Sequence, residues 1–143
     1  MQRHTLSTLA VALGLSLTSG AIASDNTVLR ASHQFPGGQG DVRDEMVQMM
    51  ARHVTEADVG LEVQVYPGQS LFKAGEQWGA LVRGRLDITS LPLDYASGRH
   101  PEFSATLMPG LVRNYEHAQR LNQSEYMDMI KEVIQEGGAR VLA

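Results

Sequence analysis

The chain has 143 residues, a formal net charge of −4 and no cysteine. This excludes disulfides, cysteine-based zinc sites and thiol catalysis, and it leaves room for one domain with a real core. The mild acidity and scattered Lys and Arg argue against a nucleic-acid partner, because phosphate binding needs clustered cations.

The first predicted element is an export signal. Arg3 precedes a mostly apolar run from Leu6 to Leu17, and Ala21-Ile22-Ala23 forms a small-x-small site before the polar Ser24-Asp25-Asn26. The run is too short and too weakly apolar for a stable membrane span; a retained interfacial anchor is the alternative. Residues 1–23 are therefore expected to be a secretory signal peptide cleaved after about Ala23, and residues 24–143 a periplasmic product. No cysteine near the cleavage site offers a lipid attachment point, so no direct membrane insertion is expected afterwards.

Val28 to His33 reads as a short buried strand running into the glycine-rich turn Pro36-Gly37-Gly38-Gln39-Gly40. Asp41 is placed to N-cap a helix. Val42, Met46, Met49, Met50, His53, Val54 and Ala57 recur at helical spacing as its apolar stripe, with the methionines as core filler. Leu61 to Tyr66 alternates like a strand and stops at Pro67-Gly68. A second helix is expected from about Ala74 to Arg83, with Trp78, Leu81 and Val82 inward and Gly84 as its stop. Leu86 to Ser90 reads as a third strand.

From Leu91 to Gly110 the pattern breaks into turns. Asn114 and Ser124 are placed to cap two further helices, the second carrying Met127, Ile130, Val133 and Ile134 and ending at Gly137-Gly138. Ala139 to Ala143 is expected to form a fourth strand. The alternation implies a parallel sheet with helices on both faces, and ligands in such sheets sit beyond the carboxyl ends of the strands.

Tests for chemistry give little. Gly68-Gln69-Ser70-Leu71-Phe72 nearly fits G-x-S-x-G, but Phe72 stands where the second glycine would allow the sharp elbow. No HExxH occurs, and none of His33, His53, His100 and His117 shares a helix with another at ligand spacing, so no metal is expected. His100, before Pro101, is expected in a solvated turn. Gly37 to Gly40 matches neither GxGxxG nor a P-loop; it is either a tight turn or a weak carboxylate cradle at a helix start. Asp41, Asp44 and Glu45 sit where the helix dipole favours acids and are given no acid–base role. No cofactor is expected.

Several blocks in order resemble the DctP-type extracytoplasmic solute receptors of TRAP transporters. They are Tyr66-Pro67-Gly68-Gln69-Ser70-Leu71, Ala80-Leu81-Val82-Arg83-Gly84-Arg85-Leu86-Asp87, Pro101-Glu102-Phe103, and Leu107-Met108-Pro109-Gly110-Leu111. Gly110 departs from the aromatic residue common there. The resemblance implies an α/β fold, the parallel-sheet lobe of a two-lobe periplasmic binding protein, truncated because family members run to roughly twice this length. The second lobe, with its substrate-pairing arginine, is expected to be absent.

The resemblance also implies capture of a small organic acid, its transfer to TRAP membrane permease subunits, and no catalysis. It places His33 and Gln34 in the first ligand-facing loop, Gln69 and Lys73 in the second, and Ser90, Leu91 and Tyr95 in the third. Trp78 is read as core in preference to cleft wall. The rival readings are a truncated remnant that binds nothing and, less favoured, a small exported α/β hydrolase using Ser70.

Overall fold

The computed structural model describes residues 26–142. The export segment, its cleavage site and Ala143 lie outside the described residues. Three strands, β1 (Thr27–His33), β2 (Leu61–Tyr66) and β3 (Ile88–Ser90), form a parallel sheet in the order β2-β1-β3. Two crossover helices, α1 (Val42–Glu56) and α2 (Ala74–Val82), join them. Two 3₁₀ turns follow, Leu93–Ala96 and Pro101–Leu107, and then α3 (Tyr115–Asn122) and α4 (Glu125–Glu136).

The two crossover helices cover opposite faces of the sheet. Strand periodicity puts Leu29, Ala31, Val63, Val65 and Ile88 on one face, where they pack against Val47 and Ala51 of α1. The other face presents Ser32 and Thr89. The Thr89 hydroxyl donates to Gln77 Oε1 of α2 at 2.7 Å and lies 3.0 Å from the Ser32 carbonyl, and Gln77 is fully buried. A second core lies beyond α2. Trp78, Ala96, Phe103, Ile130 and Ile134 pack together there, so that α2, both 3₁₀ turns and α4 share one cluster.

Two of the three expected caps form; Ser124 stands at the start of α4, but its hydroxyl donates back to the Leu121 carbonyl at 2.6 Å and makes no cap bond. Asp41 Oδ1 accepts from the Arg43 N–H at 3.0 Å, and Asn114 Oδ1 accepts from the His117 N–H at 2.7 Å. Trp78 is core, 5 % exposed.

Four further expectations are corrected. The buried face of α1 is Asp44, Val47 and Ala51, whereas Val42, Met46 and Met49 are exposed, so the helix is rotated away from its most apolar stripe. The cause is Asp44, which is drawn inward by partners on the preceding loop. His100 is half-buried, with its ring 5.2 Å from Trp78 and 5.1 Å from Phe103 in an aromatic cluster instead of a solvated turn. The third strand is shorter than expected: Leu86 is buried outside it, and Asp87 turns back on β1, its carboxylate accepting from the Arg30 N–H at 2.8 Å. Residues 139–142 form no strand and pair with neither edge of the three-stranded sheet.

Candidate functional site

The carboxyl ends of all three strands meet at one edge. Ser32 pairs in register with Tyr66, and His33 with Ser90, so the loops leaving β1, β2 and β3 start side by side. The first two loops are knitted together by backbone: the Gly68 N–H donates to the Phe35 carbonyl at 2.9 Å and the Gln69 N–H to the His33 carbonyl at 3.0 Å. These bonds need two successive left-handed residues, Gly68 at φ 61° and Gln69 at φ 64°. Glycine adopts this freely, but glutamine is strained there. Gln69 gains in exchange: its Oε1 accepts from the Ala74 N–H at 3.0 Å and caps α2 from outside the helix. Its amide NH₂ is left to donate outward.

Beneath this edge lies a buried polar knot. His33 is fully buried and Asp44 nearly so. The Phe35 N–H donates to His33 Nδ1 at 3.2 Å, so Nδ1 carries no proton. Nε2 then holds the hydrogen and donates to Asp44 Oδ1 at 3.1 Å. Asp44 also accepts from the Gly38 N–H at 2.9 Å and from the Gln48 amide at 3.2 Å. These contacts, the Gly38 bond foremost, hold its carboxyl below the usual range although burial opposes them. The Gly38 amide is thus already engaged by a carboxylate of the chain itself.

The knot sets the floor above it. The Phe35 ring stacks on His33 with centroids 5.6 Å apart, and the Arg43 guanidinium lies 4.2 Å from the Phe35 centroid. Arg43 also grips Asp41 through two bonds, 2.9 and 2.6 Å, and Arg43 holds the Asp41 carboxyl at about 2.

An open concavity of about 450 Å³ sits on this floor. Of the predicted residues, Gln34, Gln69, Lys73 and Tyr95 line it. His33 lies below it, with no exposed surface. Ser90 and Leu91 leave the same sheet edge outside its lining, and Leu91 packs against the Trp78 cluster. Reading the sequence missed Phe35, Pro36 and Arg43. The rule that ligands gather at strand carboxyl ends extends to the first turn of the following helix, and that signal would have found Arg43. Among the described residues, the charged ones in the lining are Arg43 and Lys73, both cationic. Ser70 is exposed, and its hydroxyl bonds no histidine among the described residues.

Gly37 marks how tightly the loops are fitted. A Cβ there would sit 2.5 and 2.7 Å from the Pro67 ring. Gly37→Ala should therefore force the first loop off the second and cost about 1–3 kcal/mol of stability, read as a lower urea midpoint. An unchanged midpoint would contradict this fit.

The chain's relatives agree with this architecture. Residues 34–143 match the family of bacterial extracellular solute-binding proteins, family 7. A solute-binding protein of Albidiferax ferrireducens is 37% identical over 143 residues, covering 96% of this chain and 42% of that protein. A crystallised TRAP periplasmic solute-binding protein from Rhodoferax ferrireducens, with bound malonate, is 40% identical with a TM-score of 0.71 over 76% of this chain and 36% of that one. A TRAP protein from Sulfurospirillum deleyianum with bound succinate, 21% identical, shares the fold at a TM-score of 0.71. The chain thus spans well under half the length of these relatives. With a matching family profile over most of its length and the same parallel-sheet lobe, the chain belongs to family 7 of the bacterial extracellular solute-binding proteins.

Proposed function

We propose that this chain forms one wall of an extracytoplasmic cleft that captures a small organic acid, a carboxylate of about malonate size. The acid would then be handed to the permease subunits of a TRAP-type transporter, without chemical change. The observation that carries this reading is the charge of the concavity: its lining holds two cations and no acid, Lys73 makes no ion pair among the described residues, and Arg43 keeps N–H donors beyond the two spent on Asp41. A carboxylate there would meet Arg43, Lys73 and the outward amide of Gln69, donors suited to charge-assisted bonds. The malonate bound by the 40%-identical relative supports the choice of ligand class. Family membership supports a periplasmic location, with cleavage after about Ala23 delivering the mature chain there.

Calorimetry with malonate, acetate and the neutral malonamide tests the reading. Heat is expected with malonate and none with malonamide, and Arg43→Ala should weaken malonate about 10- to 100-fold through loss of a charge-assisted contact. Absence of heat with every acid would leave the remnant reading standing. Ester turnover lost in Ser70→Ala would revive the hydrolase.

A further inference from the structure

The rotation of α1 leaves a second surface along the helix, separate from the cationic concavity. Met46, Met49, Met50 and His53 line a second open concavity of about 450 Å³, beside the start of β2. Met46 is 60 % exposed and Met49 45 %. Along a helix, 46–49, 46–50, 49–53 and 50–53 are all three- or four-residue spacings, the separations that bring side chains into contact. The four residues therefore share one face of α1, with Met50 at its inner edge where it also packs against the core between α1 and the sheet. The His53 imidazole makes no hydrogen bond or ion pair among the described residues, and the remaining lining is aliphatic: Val54, Ala57, Val59 and Leu61.

We propose that Met46, Met49, Met50 and His53 form a binding site for a soft monovalent metal ion, Cu(I). Thioethers are poor ligands for hard cations and good ones for Cu(I), and imidazole suits copper. The absence of any carboxylate from the lining disfavours Ca²⁺ and Mg²⁺, which take oxygen ligands. The site involves no change of oxidation state. It is independent of the acid-binding reading, since the two concavities share no residue.

Titration of the purified chain with Ag⁺, a redox-inert substitute, and anaerobic competition of the chain against a chromophoric Cu(I) chelator test it. One equivalent of Ag⁺ should bind, and Cu(I) should be withdrawn from the chelator. Met46→Leu with Met49→Leu, which keeps side-chain volume at exposed positions, should weaken both at least 10-fold with unchanged circular dichroism. His53→Ala should weaken them less, and Met108→Leu with Met129→Leu not at all. Equal competition by the wild type and the Met46→Leu/Met49→Leu variant would overturn the proposal, as would Zn²⁺ binding as tight as that of Ag⁺.

Discussion

Phe103→Ala is expected to lower the unfolding free energy by about 3–5 kcal/mol, the range for deleting a buried aromatic side chain. Phe103 has no exposed surface, and it packs edge-on to Trp78 at 5.6 Å among Ile130 and Ile134. It is the piece that holds α4 and the 3₁₀ turns against α2. Small domains have only about 5–15 kcal/mol in all, so this substitution should bring the chain near unfolding at room temperature. The chain's one tryptophan sits in this cluster, so its fluorescence during urea titration reports the loss directly. A midpoint within error of the wild type would mean that the cluster does not hold the lobe together.

Asp44→Ala should cost about 3 kcal/mol, because it leaves three donors without their acceptor: the His33 Nε2–H, the Gly38 N–H and the Gln48 amide. The same carboxyl gives the stability a pH dependence with a definite sign. Its pKa is lowered by folding, so its contribution is fully present above the unfolded value of about 3.9 and is lost as pH falls through the lower folded value. Acid unfolding below about pH 4 should therefore be shallower in Asp44→Asn than in the wild type, with the neutral-pH stability already reduced. Equal acid sensitivity of the two proteins would show that Asp44 is not the group responsible.

The order of strands and helices was legible because each signal was local. Asp41 and Asn114 cap the helices they precede, and the second and fourth helices end at or near the predicted glycines. What escaped notice depended on groups far apart in the chain. Helical periodicity favours Met46 and Met49 as an inward stripe, but it carries no information about His33 and Gly38, which pull Asp44 inside instead. The resemblance places His33 in a ligand-facing loop, whereas its side chain is fully buried. Its burial follows from Asp44 lying across from it, eleven residues later. In the sequence Arg43 is one scattered cation among others, and only the Phe35 ring beneath it ties it to the floor of the concavity. Val141 and Leu142 are apolar enough for a strand, but pairing also depends on whether the chain leaving α4 reaches a sheet edge, which composition does not supply.

The backbone bonds from Gly68 and Gln69 to the first loop have a consequence for selectivity. Two loops that would each have many conformations are fastened into a single rigid surface before any solute arrives. Under the proposed function, a solute seated there would spend little of its interaction energy on ordering these two loops. On the same reading, preference among solutes of similar charge would rest on fixed distances between donors on this wall, and an acid one carbon too long or too short would meet loops already fastened to each other.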